Sequence, residues 1–516
     1  MYKQLRIFST LIFVGFLLAA CGSSGGGGGN PSTLSPASGK ITGQVFDGTT
    51  GQVISGATVR AAGKSATTTA DGSYELSGLN NGDRIIVTVS VTGFSDQSKI
   101  ARISDQAPNA NLAMRLLPIG LTQTFDPDTA QTLSDTNSPA SVTLSAGSLR
   151  KGDGSSPEGN VTIKLTVIDP TIDIDLMPGD MQTDVGGVLS PIESFGAIIA
   201  TFTDEMDNDL NLASGSIATI RIPLADKSGT PPTTIPLFFY DETQGLWVEE
   251  GTATLLSDAS GTYYEGTVGH FSTWNADSLY AQIIINGCVQ NADGTRIADI
   301  SILTVGDDYS GTASTFTDAS GNFSVIAKPM ASVLVSGSQA GLKTNTVKLQ
   351  TGASDLVMSD CLVLPTGGGN NGDTSVSIKL SWGENPLDLD AYLVGPNNIF
   401  VYFGSKGSLS SFPFSQLDVD DLSSFGPEVI TIFQFPDPGT YRYSVNNFSG
   451  TFSPGMTESP ARVELTLNGN ITLFTPPVGE NDNLTWDVLE FVVSADGSVS
   501  VNPINTWSAS APGIDT

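Results

Sequence analysis

The sequence is poor in the side chains on which most catalytic and nucleic-acid-binding sites depend. Its 516 residues include one histidine and three cysteines, and 22 Lys and Arg stand against 53 Asp and Glu, for a formal net charge of −31. A histidine-ligated zinc site and Cys-x-x-Cys redox chemistry are therefore excluded, and neither a phosphate-binding loop nor a credible hydrolase triad is present. Nucleic acid is excluded as a partner because its binding needs a positively charged surface.

Long helical patterns are also missing. Short runs of Val, Ile and Thr are separated by turn sequences in a chain with 57 Gly and 28 Pro. This pattern predicts several β-sandwiches, and the length allows three or four domains of ~150 residues. We therefore expect an all-β fold, a serial array of Ig-like or transthyretin-like β-sandwich domains after a signal peptide and a flexible tether.

The N-terminus has the pattern of an exported protein. Two basic residues precede a mostly apolar run at 7–18, which has the length of a signal-peptide core and is shorter than the ~20 apolar residues of a transmembrane helix. Leu-Ala-Ala-Cys at 18–21 resembles the lipobox of bacterial lipoproteins. The resemblance implies that Cys21 is lipidated and, with Gly22 after it, held at the periplasmic or cell-surface face of the outer membrane. An ordinary secretory peptide with a chance cysteine is the alternative.

Composition and motif order divide the chain into eight segments. The Ser/Gly/Pro-rich stretch after Cys21 predicts a flexible tether, and a second Gly-rich run predicts a linker. The segments are a signal peptide (1–20), the lipidated cysteine and tether (21–39), a small sandwich (40–118), a large β domain (119–278), a second small sandwich (279–365), the linker (366–373), a last β domain (374–505) and a tail (506–516).

The segment 40–118 contains the clearest strand and turn signals. Val-Thr-Val-Ser-Val at 87–91 alternates as a half-buried strand does, and Asp71-Gly72 predicts a β-hairpin, because both central positions of a type I′ turn favour positive φ. The segment resembles the carboxypeptidase regulatory-like domain, which implies a transthyretin-like Greek-key sandwich with a non-catalytic folding or binding role. The motifs that carry the resemblance are Gly-Gln-Val (43–45), Gly-Ala-Thr-Val (56–59), Thr-Thr-Ala-Asp-Gly-Ser-Tyr (68–74) and Val-Thr-Gly-Phe (91–94).

The segment 279–365 repeats this order of motifs and is interpreted as a second, more divergent copy. Cys288 lies in its first predicted strand and Cys361 in its last. In an oxidising envelope compartment we expect them to form a disulfide that joins the two ends of the domain. Two buried free thiols are the alternative, because the sequence does not give the Cα separation.

The large segment 119–278 has strand-like runs at 161–167, 195–202, 217–222, 235–240 and 263–268. It resembles an extracellular β domain of bacterial lipoproteins and, more distantly, of cartilage intermediate layer protein, which implies a binding or structural role. The motifs are Ile-Asp-Pro-Thr (168–171), Met-Pro-Gly-Asp-Met (177–181), Gly-Leu-Trp-Val-Glu-Glu-Gly (245–251) and Gly-His-Phe-Ser-Thr-Trp-Asn (269–275).

His270-Phe271-Ser272 in this segment resembles the cleavage tripeptide of self-cleaving β domains in nuclear-pore and death-domain adaptor proteins. The resemblance implies that Ser272 attacks the Phe271 carbonyl with help from His270, since a serine nucleophile needs a base within hydrogen-bond reach. The interpretation that we favour is that His270 packs beside Trp274 at a strand end.

The segment 374–505 resembles the YfaP-type envelope domain, whose molecular function is unsettled. The resemblance lies in Leu-Asp-Leu-Asp-Ala-Tyr-Leu (387–393), Leu-Asp-Val-Asp-Asp (417–421) and Gly-Pro-Glu (426–428). Calcium takes about six to eight oxygen ligands, and alternate residues of a strand share a face, so these acidic positions predict a calcium site; solvated strand ends and Asx turns are the alternative. The candidate ligands are Asp388, Asp390, Asp418, Asp420, Asp421 and Glu428.

Two weaker candidate sites remain. An acidic run (Asp204, Glu205, Asp207 and Asp209) is a weaker candidate for a calcium site, because the same composition is common in exposed turns. Five aromatic residues of the last segment predict a sugar-stacking surface, although such residues more often belong to a core: Trp382, Tyr392, Phe400, Tyr402 and Phe403.

The sequence thus predicts a lipid-anchored cell-envelope protein that acts as a non-catalytic binding, adhesion or scaffold module. Its expected partners are the membrane, through the lipid, and an unidentified envelope protein or polysaccharide. The alternatives are a self-processing protein cut between Phe271 and Ser272 and a calcium-dependent carbohydrate-binding lipoprotein. Calcium is the one candidate cofactor.

Overall fold

A computed structural model describes residues 39–105, 107–365 and 375–513. In these ranges the chain forms 41 β-strands and a single 3₁₀ turn (Ile174–Leu176), without an α-helix, so the all-β prediction is confirmed. None of the described residues belongs to a helix long and apolar enough to cross a bilayer. The predicted signal peptide, the lipidation site Cys21, nearly all of the tether and the linker 366–373 lie outside the described residues.

The N-terminal sandwich consists of eight strands around an apolar core. They are β1 (Gly39–Asp47), β2 (Thr58–Ala61), β3 (Lys64–Thr67), β4 (Ser73–Leu79), β5 (Gly82–Ser90), β6 (Gln97–Ile103), β7 (Asn109–Asn111) and β8 (Met114–Leu116). One sheet has the order β4-β1-β7, with β8 also on β1, and the other has the order β3-β2-β5-β6. Val87 and Val89 face the core between the sheets while Thr88 and Ser90 are half-buried, as alternation predicts.

The hairpin predicted at Asp71-Gly72 is wrong, although the turn is present. Gly72 has φ +74°, and its N–H donates to the carbonyl of Thr69 at 3.0 Å. However, β3 pairs with β2 and β4 pairs with β1, so the turn carries the chain from one sheet to the other. A turn sequence determines the local reversal, but burial of the two apolar faces determines which strands pair.

The central domain is built on one 13-stranded sheet. Its strands are β9 (Leu121–Phe125), β10 (Gln131–Ser134), β11 (Ser141–Leu144), β12 (Leu149–Lys151), β13 (Val161–Ile168), β14 (Gln182–Val185), β15 (Val188–Asp204), β16 (Asp209–Leu212), β17 (Ala218–Pro223), β18 (Thr234–Asp241), β19 (Leu246–Asp258), β20 (Gly261–Val268) and β21 (Thr273–Leu279). The main path is β10-β11-β17-β20-β19-β18-β21-β15-β13-β9. All five strand-like runs predicted for this segment are strands.

The third domain repeats the strand order of the N-terminal sandwich. Its strands are β22 (Ile283–Asn291), β23 (Ser301–Gly306), β24 (Thr312–Phe316), β25 (Asn322–Ala327), β26 (Ser332–Gln339), β27 (Leu342–Lys343), β28 (Val347–Gln350), β29 (Leu356–Val357) and β30 (Leu362–Leu364). The sheet β25-β22-β29, with β30 on β22, corresponds to β4-β1-β7 with β8 on β1. Cys288 and Cys361 precede the paired residues Val289 and Leu362, and a disulfide joins them with Cα atoms 4.6 Å apart.

The C-terminal sandwich packs a six-stranded sheet on a five-stranded one. Its strands are β31 (Val376–Ser381), β32 (Leu389–Gly395), β33 (Ile399–Val401), β34 (Gly407–Ser408), β35 (Ser415–Val419), β36 (Glu428–Ile432), β37 (Gly439–Asn447), β38 (Arg462–Leu467), β39 (Asn470–Phe474), β40 (Thr485–Val493) and β41 (Val499–Ser508). The sheets run β34-β35-β36-β31-β38-β39 and β33-β32-β37-β40-β41. Residues 506–508 therefore belong to a strand and not to the tail predicted at 506–516, because Trp507 packs on the core and its indole donates to the carbonyl of Pro477 at 3.0 Å.

Within the described residues the four domains pack into one compact unit. A buried group of charges, which we name the ionic junction, joins all four. Arg115 of the N-terminal sandwich pairs with Asp173 of the central domain and Glu464 of the C-terminal sandwich. Arg462 also pairs with Asp173 at 2.8 Å, and Lys343 of the third domain lies 3.5 Å from Glu464.

The last domain also contacts the first one directly. The Ile471 N–H in β39 donates to Gln44 Oε1 in β1 at 3.3 Å. At Gly51 a Cβ atom would lie 2.4 Å from the Cβ of Leu473. The last domain along the chain therefore packs against the first one.

Candidate metal centre

Two of the predicted acidic ligands enter the site from β32. Asp388 directly precedes the strand and Asp390 is its second residue, so the two side chains and that of Tyr392 share one face. Asp388 is 9% exposed and Asp390 is 2% exposed. The alternation of side chains along β32 therefore places two buried carboxylates at one end of the five-stranded sheet.

Glu428 reaches the same place from the opposite sheet. It begins β36 and is fully buried, and its Oε2 accepts the backbone N–H of Ala391. With Asp420, which follows β35, it completes a cluster in which one ligand atom each of Asp390, Asp420 and Glu428 lies within 4.8 Å of the others. Within the described ranges this is the one group of three or more side chains with metal-ligand spacing.

Four carboxylate oxygens at this place have no hydrogen-bond donor: Asp388 Oδ1, Asp390 Oδ2, Asp420 Oδ1 and Glu428 Oε1. Buried polar atoms nearly always have a partner, because an unpaired one loses its hydration without compensation. Calcium binds oxygen at about 2.3–2.6 Å, so ligands on opposite sides of the ion are separated by about 5 Å. The chemistry and spacing of this cluster therefore fit a hard divalent cation.

The electrostatics of the cluster are those of crowded carboxylates. Burial, together with the charges of Asp388 and Asp420, raises the pKa of Asp390 to about 7. Burial, with Asp390 and Asp420, raises the pKa of Glu428 to about 10, although the Ala391 N–H acts in the opposite direction. Burial, with Asp420 and Asp421, also raises the pKa of Asp388. Burial is the largest cause of each shift, and the neighbouring carboxylates add to it.

Two neighbouring polar groups were not found from the sequence. Lys406 Nζ lies 2.8 Å from Asp420 Oδ2 at the rim, with 54% of its side chain exposed. Tyr443 is fully buried, its hydroxyl lacks a partner, and burial and then Glu428 raise its pKa. Neither residue stands in an acidic motif, so no sequence signal links them to the site. Lys406 thus supplies one ammonium group to a cluster of three carboxyl groups.

Asp418 and Asp421 do not belong to the cluster, and their prediction as ligands is wrong. Leu417 packs in the core between the sheets, so Asp418 is on the opposite face of β35, and a register shift between Leu417 and Val419 separates this face from that of Asp420. Asp418 faces the third domain and accepts the Thr346 N–H at 2.9 Å. Asp421 forms an ion pair with Lys348, also of the third domain. These two carboxylates join domains, while Asp390, Asp420 and Glu428 converge.

The acidic run at 204–209 forms a turn. Asp204 is buried and accepts the backbone N–H groups of Met206 and Asn208, both at 3.0 Å. Glu205 accepts the Asn160 N–H at 3.0 Å. These oxygens already have donors, so the run has the geometry of the Asx-type alternative.

The tripeptide 270–272 does not assemble a nucleophile. The Ser272 hydroxyl donates to the Tyr240 carbonyl at 3.0 Å, and no basic side chain in the described part of the chain is hydrogen-bonded to it. The His270 ring lies 4.6 Å from that of Phe239 and 5.0 Å from that of Trp274, and its Nε2 lies 3.6 Å from Glu250. His270 thus has the packed environment of the interpretation that the sequence favoured.

The fold and the site together define a multidomain all-β protein with a carboxylate cluster at one end of its last sandwich. A family model, the carboxypeptidase regulatory-like domain, matches residues 40–115. That resemblance is therefore confirmed for the N-terminal sandwich. No curated protein matches the chain.

Solved structures resemble the chain weakly. The Bacillus anthracis TIE protein is 12% identical with a TM-score of 0.14, over 63% of this chain and 51% of that protein; this chain therefore covers about half of its length. BcpA, the major pilin subunit of Bacillus cereus, is 10% identical with a TM-score of 0.14, over 63% and 99%. A Bacteroides fragilis protein described as membrane-associated and of unknown function is 11% identical with a TM-score of 0.14, over 47% and 98%. TM-scores this low give no information about function.

Proposed function

We propose that this protein is a non-catalytic binding protein of the cell envelope whose C-terminal sandwich holds a calcium ion. The observation that carries the proposal is the convergence of Asp390, Asp420 and Glu428, whose ligand atoms lie within 4.8 Å of one another and each of which has a carboxylate oxygen without a donor. Asp390 comes from one sheet and Glu428 from the other, so an ion would tie both sheets together at this end. The oxygen-only ligand set favours calcium over zinc, which prefers nitrogen and sulfur.

A thermal unfolding series on the full chain tests the calcium site. A ligand at 100 times its Kd stabilises the folded state by about 2.7 kcal/mol, so saturating CaCl₂ should raise the transition of this sandwich by roughly 5–10 °C over EDTA. Asp390→Asn should abolish most of that shift. Asp496→Asn, at a turn of the same sandwich, is the matched control and should keep it.

Two results would contradict the calcium proposal. One is a transition that does not move between EDTA and CaCl₂. The other is an equal calcium shift in the Asp390→Asn protein, since the ion would then bind elsewhere. A larger shift with MgCl₂ than with CaCl₂ would retain the site and change the ion.

Membrane attachment through Cys21 is the second part of the proposal, supported by the lipobox-like Leu-Ala-Ala-Cys at 18–21. Cells grown with labelled palmitate should incorporate the label into the wild-type chain and not into Cys21→Ser. Protease treatment of intact cells would then distinguish the cell-surface face from the periplasmic face. Equal labelling of both proteins would refute the anchor.

A further inference from the structure

Aromatic side chains form a continuous row beside the carboxylate cluster. We name Tyr392, Phe400, Tyr402, Phe403 and Phe448 the aromatic ridge. The rings of Tyr392 and Tyr402 stack at 5.4 Å with 12° between their planes, and Phe400 stacks on Tyr402 at 4.5 Å. Phe403 packs against Tyr402 at 5.0 Å and against Phe448 at 5.6 Å.

The ridge differs from the set that the sequence predicted by two residues. Trp382 is 1% exposed and belongs to the core between the sheets, so its prediction as a stacking residue is wrong. Phe448 takes its place at the surface, where it is 60% exposed, and Phe403 is 38% exposed. Aromatic faces left in contact with water commonly mark a binding surface.

The ridge and the carboxylates are neighbours in the fold. Tyr392 lies two residues after Asp390 on the same face of β32. At the other end of the ridge, Phe448 follows Asn447, which pairs with Leu389, and the Ser449 N–H donates to the Asp388 carbonyl at 3.3 Å. Both ends of the ridge therefore adjoin the part of the chain that carries Asp388 and Asp390.

The composition of this surface restricts its ligand. The carboxylates would repel an anionic ligand, and the whole chain carries a net charge of −31. With one ligand atom each, Asp390, Asp420 and Glu428 supply three oxygens, fewer than the about six to eight that calcium takes, so further oxygens must come from other protein groups, from water or from a ligand. A molecule with neutral hydroxyl groups and flat apolar faces meets both conditions.

We propose that the aromatic ridge and the cation pocket together bind a neutral carbohydrate, whose rings lie on exposed faces of the ridge and whose hydroxyl oxygens complete the ion's coordination. This proposal rests on the calcium site proposed above. Phe448 and Phe403, whose rings are exposed, are the stacking residues, and Asp390 orients the sugar through the ion.

The test uses the full chain with three soluble neutral probes: dextran, mannan and cellulose-derived oligosaccharides. Binding is measured by calorimetry at about 1 mM CaCl₂, which suits the affinity range of extracellular calcium modules, and again in EDTA. We expect binding to at least one probe in calcium and its loss in EDTA. Phe448→Ala and Phe403→Ala should each weaken it about tenfold, as loss of an aromatic contact predicts.

Phe412→Ala is the matched control, because Phe412 is a phenylalanine of the same sandwich that is 51% exposed and outside the ridge. It should leave sugar binding unchanged, and Phe448→Ala should keep the calcium-induced thermal shift. Calcium stabilisation without binding of any of the probes would overturn the carbohydrate proposal and leave the calcium site intact. Binding that survives both EDTA and Phe448→Ala would also overturn it.

A parallel measurement with neutral phosphatidylcholine vesicles separates a sugar from a lipid surface. The carbohydrate proposal predicts no vesicle binding. Calcium-dependent vesicle binding that Phe448→Ala abolishes would assign the ridge to lipid and refute the proposal. Absence of any thermal shift with calcium would refute the calcium site, on which both the carbohydrate and the lipid interpretation depend.

Discussion

Replacing Arg115 by methionine tests whether the ionic junction holds the four domains together. The side chain of Arg115 is 6% exposed and pairs with Asp173 and Glu464, while methionine keeps much of its apolar stem. The substitution leaves Asp173 with Arg462 at 2.8 Å and Glu464 with Lys343 at 3.5 Å. Both carboxylates therefore remain buried with one fewer counter-charge.

The expected loss is several kilocalories per mole. Removing one partner of a buried ion pair costs about 3–5 kcal/mol. The pKa of Glu464 has the matching direction: burial alone would raise it, but Arg115, and then Lys343 and Lys379, lower it from 4.5 to about 2.

The pH dependence has a definite sign. Because the folded pKa of Glu464 is depressed, its stabilising contribution is present above the unfolded pKa and is lost as the pH falls toward 2. The deficit of Arg115→Met should therefore be largest near neutral pH and shrink on acidification. Urea unfolding of both proteins at about pH 7 and about pH 3 measures it.

Arg60→Met is the control, since Arg60 is exposed on β2 of the same sandwich and its replacement should change the free energy of unfolding by less than about 0.5 kcal/mol. An Arg115→Met deficit below about 1 kcal/mol near neutral pH, the level of an exposed pair, would refute the reasoning. A deficit that stays the same on acidification would refute the role assigned to Glu464.

Three further outcomes follow from the structure. Replacing Cys288 and Cys361 by serine opens a closed loop with a sequence separation of 73 and should cost about 4 kcal/mol in urea unfolding; a reductant should destabilise the wild type and leave the variant unaffected. Asp277 is fully buried, neither of its carboxylate oxygens has a donor, and burial with the charge of Glu193 raises its pKa well above the ordinary range. The wild type should therefore lose stability as the pH rises above about 4, and Asp277→Asn should flatten that slope; identical slopes would show that the group does not titrate. Intact-mass measurement should find one uncut chain with and without Ser272→Ala, whereas two fragments joining at Phe271 and Ser272 in the wild type alone would establish self-cleavage.

Local features of this fold were predictable from the sequence because they depend on neighbouring residues. Alternation located the strand that contains Val87 and Val89, and the spacing of Asp388 and Asp390 put both on one face of β32. Features that depend on register were not predictable. One register shift in β35 put Asp418 and Asp420, two residues apart, on different faces, and no pattern in the sequence marks such a shift.

Long-range features were predicted only in part. Glu428 was named for its acidic motif, but its convergence with Asp390 requires two sheets to pack, which alternation does not specify. Arg115 and Glu464 are separated by 349 residues, and neither lies in a motif that would suggest a buried pair. The Asp71-Gly72 turn was found while its strand partners were missed, since partners are chosen by the core and not by the turn.

The contact between the last and the first domain bears on the order in which the chain folds. Gln44 and Ile471 are separated by 427 residues, so the last part of the chain contributes the surface on which the first sandwich packs. Domains generally fold as units, the N-terminal one first, and Arg115 therefore has Asp173 as a partner before the C-terminal sandwich supplies Glu464. Chains that stop before β38 lack Glu464 and cannot form the junction, so premature termination leaves a product with an exposed charged seam that proteases can attack.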